Sequence, residues 1–183
     1  MLMFLALLAQ CFALCWLLTI LISGLISSRH GAPYVPMQRK NLSDLLKFGG
    51  LSPEDVFYDL GAGDGRVLLF AANNFRVKRA VGYEAAPWPY VRSRWLIRRS
   101  GLRNVSVIRK DLLGADLTEA TFIYMYLFPK LVDRLAGKLA LELQPGTKVL
   151  CPDFPIDLDR HPEFSLKKER KIGTMTAYLY EKR

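Results

Sequence analysis

The stretch Asp59-Leu60-Gly61-Ala62-Gly63-Asp64-Gly65-Arg66 combines glycines and acids at a spacing suited to holding a charged nucleoside. An apolar run, Val56-Phe57-Tyr58, precedes it, and another, Val67-Leu68-Leu69-Phe70-Ala71-Ala72, follows. Strand, glycine-rich turn and helix in that order let a backbone approach a nucleoside cofactor closely. Gly61, Gly63 and Gly65 supply the conformations with positive φ that such a turn needs. The acids choose among ligands. A pyrophosphate would be repelled by Asp59 and Asp64 at close range, whereas a ligand carrying an ammonium and a sulfonium would be attracted. S-adenosyl-L-methionine is such a ligand.

Two further acids strengthen this reading. Glu84 ends a second apolar segment, Ala80–Tyr83, about twenty residues on, where a carboxylate can take both ribose hydroxyls. Asp111 follows a third, Val105–Ile108, and could accept from the adenine amino group. Asp59 is then left for the ammonium of the methionine moiety. All three lie at predicted carboxyl ends of strands, where open parallel sheets bind their ligands.

The elements that must position these residues alternate. Helices are expected over Arg66–Asn73, Pro89–Ser100 and Lys130–Leu143, with strands over Phe122–Leu127 and Thr147–Cys151 completing the parallel set. Val91 and Trp95, four apart, should form the core face of the second helix, with Arg92, Arg94, Arg98 and Arg99 on the solvated or lipid-facing side. Phe164–Lys171 and Thr174–Glu181 flank Gly173 with no helix between them and read as an antiparallel hairpin at the sheet edge. The fold class is therefore α/β, a Rossmann-like sheet, mostly parallel, over residues 53–183.

Residues 1–28 are of another kind. They carry no ionised side chain, so the formal net charge of +9 belongs to the rest of the chain. A run of this length and hydropathy reads as one transmembrane helix. Arg29, Arg39, Lys40 and Lys47 follow it, which places the catalytic domain on the cytoplasmic side of a single-pass membrane protein. A cleaved signal peptide fits less well, since there is no basic start and the apolar stretch is too long. Residues 29–52 form a connector with Gly31, Pro33 and Pro36, then a short helix capped by Asn41 or Ser43.

The three cysteines form no disulfide framework, and His30 and His161 have no metal-ligand spacing. Asp153, Asp157 and Asp159 resemble a magnesium site only in charge and read as solvated loop acids, so no metal is expected. The arginine- and tryptophan-bearing helix invites a nucleic-acid reading. Val91 and Trp95 share one face as core contacts would, however, and nucleic acid is disfavoured as a partner.

From Pro53 onward the sequence resembles the class I, seven-strand S-adenosyl-L-methionine-dependent methyltransferases. Within them it is most similar to small protein lysine methyltransferases that include those modifying the ATP synthase c subunit and the adenine nucleotide translocase. The matching pieces are Pro33-Tyr34-Val35-Pro36, Tyr58 to Arg66, Gly82-Tyr83-Glu84, Asp111-Leu112, Tyr126-Leu127-Phe128-Pro129, and Pro145-Gly146-Thr147 leading to Asp153-Phe154. Met37-Gln38 departs from the group, which often shows Thr-Pro there. The resemblance implies in-line transfer of a methyl group to a lysine amine of a protein substrate, with a membrane protein as a natural target. It implies catalytic roles for Tyr126, as an orienting partner, and Asp153, as a holder of the ammonium or acceptor of its proton. Tyr34 would close over the cofactor. Two other functions remain open: a catalytically silent S-adenosyl-L-methionine-binding membrane protein, and a small-molecule or lipid methyltransferase.

Overall fold

The computed structural model describes residues 2–29 and 39–183, with side chains at 3–19, 21 and 41–183. Its first element is a long helix, α1 (Leu2–Arg29). Leu5, Phe12, Leu14, Trp16, Leu17, Leu18 and Leu21 are all exposed on it. Trp16 meets Trp88 of the following domain edge to face, with ring centroids 6.4 Å apart. The expected transmembrane segment thus appears as a helix and not as a span: among the described residues no helix is long and apolar enough to cross a membrane.

Helix α2 (Arg39–Phe48) starts upstream of both Asn41 and Ser43, so neither caps it. Asn41 is instead buried within the first turn. Its amide lies against Gly173, where an added Cβ would stand 3.3 Å from Nδ2. A tertiary contact has overridden the capping preference of asparagine. Leu42, Leu45 and Leu46 are completely buried, which joins α2 to the core of the domain.

The remaining elements alternate as expected: β1 (Val56–Leu60), α3 (Arg66–Phe75), β2 (Arg79–Glu84), α4 (Pro87–Ser100), β3 (Val105–Arg109), a 3-10 turn (Leu112–Gly114), β4 (Phe122–Met125), α5 (Pro129–Glu142), β5 (Lys148–Pro152), β6 (Phe164–Ile172) and β7 (Met175–Lys182). The seven strands form one sheet in the order β3-β2-β1-β4-β5-β7-β6. Pairing is parallel from β3 to β5 and antiparallel through β7 and β6. This is a Rossmann-like, seven-strand methyltransferase sheet with a C-terminal antiparallel hairpin. The charged run Lys167 to Lys171 lies exposed on β6, the outermost strand, where it discourages edge pairing.

Each face of the sheet has its own core. Leu42, Leu68, Phe57, Phe122 and Leu150 belong to the face covered by α2, α3 and α4. Ile123, Leu135, Leu139, Val149 and Tyr180 belong to the face covered by α5. The first face is packed tightly at Gly82, where an added Cβ would lie 2.5 Å from Leu68 Cδ1 and 2.6 Å from Ala62 Cβ. Gly82→Ala should therefore destabilise the fold by about 1–3 kcal/mol through overpacking. Urea denaturation would read this as a lower midpoint with an unchanged slope.

Two local departures matter for the site. Strand β4 leaves the ladder at Met125 and does not run on to Leu127. Phe128 precedes Pro129 and is extended, with ψ 154°, which turns the chain out of the sheet before α5 begins. Helix α4 also presents the face opposite to the expected one. Pro89, Ser93 and Ile97 are buried, whereas Val91 and Trp95 are each 56% exposed. The cause is the close approach of α4 to the glycine loop, where an added Cβ at Gly65 would lie only 3.1 Å from Ser93 Cβ. A small side chain fits there and an indole does not.

Candidate active site

The chain passes from β1 through α3 to β2 and β3 on one side, then crosses to β4 on the other side of β1. The direction of winding reverses between β1 and β4, and the crevice beyond their carboxyl ends is the natural ligand site of such a sheet. The glycine loop occupies it. Gly61, Gly63 and Gly65 have φ of +88°, +55° and +77°, so all three need the freedom expected of them. The backbone N–H groups of Gly61 and Ala62 both donate to the Tyr83 carbonyl at 3.0 Å, which ties the loop to the end of β2.

Glu84 reinforces that tie. Its Oε2 accepts from the Gly63 N–H at 2.9 Å and its Oε1 from the Ala86 N–H at 2.8 Å. Asp64 faces inward and takes a bidentate contact from Arg66, with Nε at 2.9 Å and Nη2 at 2.8 Å, while Arg92 Nε approaches to 3.7 Å. Its charge holds the loop against α3 and α4. Asp111 is exposed at the end of β3, where its Oδ1 accepts from the Leu113 N–H at 2.8 Å and caps the 3-10 turn.

Asp59 is the exceptional member. It is 2% exposed, and its Oδ2 is buried with no hydrogen-bond partner. Burial, followed by the nearby charges of Glu84 and Asp64, pushes its carboxyl up to about 8. A buried carboxylate among other acids lacks a cation. Directly across the ladder from Asp59 stands Tyr124. Residues paired in register on neighbouring strands project from the same face. The Tyr124 hydroxyl is also buried with no partner, and burial first, then the Asp59 charge, raises its pKa well above the ordinary tyrosine value. Among the described residues only three buried side-chain polar atoms lack partners, and two of them belong to this register pair, Asp59 and Tyr124. An ammonium group would suit this pair: it would neutralise the carboxylate and supply donors.

Beyond them the site is aromatic. Tyr126 leans over Phe154 with ring planes 20° apart and centroids 6.4 Å apart, and Phe128 lies 5.6 Å from the same ring. The Tyr126 hydroxyl donates to Asp153 Oδ2 at 3.4 Å. Partial burial and the Asp153 charge raise the Tyr126 pKa, which keeps it a donor at neutral pH. Asp153 itself has φ +62°, a left-handed conformation that few non-glycine residues adopt. Two bonds to the hairpin fix it there: its N–H donates to the Thr176 carbonyl at 2.7 Å, and its Oδ1 accepts from the Thr176 N–H at 3.0 Å.

The structure therefore brings Asp59, Gly61, Gly63, Asp64, Gly65 and Glu84 together, and it pairs Tyr126 with Asp153. Asp111 stands at the neighbouring strand end. Tyr34 lies outside the described residues. Asp157 Oδ1 accepts from the Asp159 N–H in a local turn, and among the described residues no three His, Cys, Asp or Glu side chains are grouped to hold a metal. Sequence reasoning missed Tyr124. The signal was present: Phe122, Tyr124 and Tyr126 alternate in the sequence within the strand expected over Phe122–Leu127, which puts Tyr124 on the face of Tyr126. Tyr124→Phe should raise the stability of the cofactor-free protein by about 1 kcal/mol, since it removes an unsatisfied buried hydroxyl. The same substitution should weaken cofactor binding by roughly five- to tenfold, the value of one lost hydrogen bond. Thermal melts with and without cofactor would show the two opposite shifts.

An acid-lined glycine loop at the switch point of a seven-strand sheet closed by an antiparallel hairpin defines the class I methyltransferases, enzymes that use S-adenosyl-L-methionine to transfer methyl groups. The chain belongs to the ANTKMT methyltransferase domain family, whose profile matches residues 59–162. It is 35% identical to a protein-lysine N-methyltransferase of Saccharolobus islandicus over 81% of this chain and 92% of that one. It is 33% identical to the adenine nucleotide translocase lysine N-methyltransferase of Mus musculus, over 70% of this chain and 56% of that protein. A crystal structure of an RNA methyltransferase from Salinibacter ruber in complex with S-adenosyl-L-homocysteine is 31% identical, with a TM-score of 0.73 over 80% of this chain and 93% of that one.

Proposed function

We propose that this enzyme is a protein lysine N-methyltransferase that acts at a membrane. The observation that carries the acceptor is the pairing of Tyr126 with Asp153 beside Phe128 and Phe154. When bound, S-adenosyl-L-methionine supplies a methyl group activated by its sulfonium. The chain's own residues deal with the acceptor. A lysine amine has a pKa near 10.4 and must lose a proton before its lone pair can attack. The aromatic rings exclude water and favour the neutral amine. Asp153, fixed by Thr176 and oriented by Tyr126, holds the incoming ammonium and accepts its proton, directly or through water. Asp59 and Tyr124 would hold the cofactor's amino group, and Glu84 its ribose hydroxyls. Much of the rate then comes from alignment of the reacting atoms.

Membrane action rests on α1. No ionised side chain occurs through residue 28, and nearly all the side chains described on α1 are apolar and exposed. The basic residues that follow, Arg29, Arg39, Lys40 and Lys47, are suited to the anionic headgroups of a membrane surface. The chain spans 56% of its mouse relative and 92% of its archaeal one, whose substrates are those proteins' own.

The test is incubation of the full chain with methyl-labelled cofactor and membranes from cells lacking it. Label in a protein band, released as methyl-lysine on hydrolysis, supports the proposal. Likeness to an RNA methyltransferase gives a second reading a specific footing. Label confined to RNA, or to the organic phase, would replace the lysine reading.

A further inference from the structure

The outer face of α4 does not behave as a surface left to water. Trp88, Val91 and Trp95 fall at spacings of three and four, so they form one stripe along the helix. All three are exposed, Val91 and Trp95 by more than half. Arginines flank the stripe on both sides. Arg92 and Arg99 border one edge, and Arg94 and Arg98 the other, by the 100° advance per residue of a helix. The Arg99 guanidinium sits 5.4 Å above the Trp95 ring. Helix α4 contains no acidic residue.

Two aromatic rings and an aliphatic residue exposed between four cations match the pattern of a helix lying in a membrane interface. There, tryptophan rings sit at headgroup level and arginines reach lipid phosphates. The stripe also has an apolar neighbour. Its first ring, Trp88, is the one that Trp16 of α1 touches. The apolar surface of α1 and the stripe of α4 thus meet at one seam. Val91, in the middle, offers nothing to stack on a base, which favours lipid over single-stranded nucleic acid as the occupant.

We propose that the Trp88–Val91–Trp95 face of α4 is a docking surface for anionic lipid, which seats the catalytic domain on the membrane that α1 enters. The proposal rests on the membrane reading of α1. Helix α4 leaves the carboxyl end of β2, where Glu84 stands. Seating this helix fixes the cofactor-binding edge of the sheet close to the bilayer, within reach of a lysine near a membrane surface. The seat also accounts for an exposed indole that is energetically unfavourable in water.

The experiment uses the full chain in two tryptophan backgrounds. Trp16→Phe with Trp88→Phe leaves Trp95 as the only indole, and Trp88→Phe with Trp95→Phe leaves Trp16. Each is mixed with brominated phosphatidylcholine vesicles, with and without phosphatidylserine. The seat predicts that Trp95 shifts to the blue and is quenched by bromine in vesicles containing phosphatidylserine. Arg98→Gln with Arg99→Gln should cut that quenching several-fold and leave Trp16 quenching unchanged. If Trp16 is quenched while Trp95 stays open to iodide in the buffer, α1 enters the membrane and the seat is refuted. If neither responds to vesicles, the membrane reading itself falls. Quenching of Trp95 by single-stranded RNA but not by vesicles would give the face to nucleic acid and overturn the proposal.

Discussion

Asp59→Asn should reduce S-adenosyl-L-methionine binding by roughly thirtyfold to several thousandfold, the value of about 2–5 kcal/mol for a buried charged partner. The shape of the side chain barely changes, so the loss isolates charge. The reason lies in a carboxylate that burial, Glu84 and Asp64 jointly disfavour, pushed up to about 8 in the cofactor-free protein. At pH 7 this group carries a proton that an arriving ammonium must expel. Wild-type affinity should therefore rise as pH increases from 6 toward 7.5, and calorimetry should detect proton release. The substitution should abolish both effects.

The same group makes an opposite prediction for stability. Its folded pKa lies above the unfolded value of 3.8, so the folded state holds a proton that the unfolded chain has lost. Stability from this source is fully present below about pH 4 and is lost progressively as pH rises to 8. An amide in place of the Asp59 carboxyl has no such dependence. The variant should melt higher than the wild type near pH 8 without cofactor, and the gap should close toward pH 5. A variant that binds cofactor with wild-type affinity would show that Asp59 does not meet the ammonium.

Asp153→Asn should lower kcat by about a hundred- to ten-thousandfold, the usual contribution of a positioned acid or base. Asparagine tolerates the left-handed conformation that Asp153 occupies at φ +62°, so the fold should survive. An amide can still accept from the Thr176 N–H, but it cannot take a proton. The decisive readout is the pH profile with a lysine peptide. As pH approaches 10, solvent removes the ammonium proton and the variant should recover a large part of the lost rate. A purely structural role would give a loss independent of pH. Tyr126→Phe should produce a smaller loss with the same recovery, because Tyr126 only orients Asp153.

How much of this was legible in the sequence can be judged element by element. Strand β1 runs over Val56–Leu60 as expected, because an apolar run bounded by a glycine turn leaves few alternatives. The hairpin was legible from Gly173 and its charged outer face. The glycine loop was legible too: Gly61, Gly63 and Gly65 all take positive φ, and such a requirement is a local property of a loop. Helix α4 was not. Val91 and Trp95 share the same spacing of four as Pro89, Ser93 and Ile97, and periodicity cannot say which set faces inward. The gap beside Gly65 decided it. Asn41 failed for a similar reason: its partner Gly173 is far along the chain.

The sequence by itself determined the class of sheet, the glycines that take positive φ and the acids gathered around that loop, because these depend on residues near one another in the chain. Only the tertiary structure decided that Asp59 Oδ2 and the Tyr124 hydroxyl are buried without partners on residues paired in register. It also decided that Tyr126 reaches Asp153, and that two indoles and a valine of α4 turn outward. Those outcomes depend on strand register and on the few ångströms left between packed elements, and no stretch of sequence holds either.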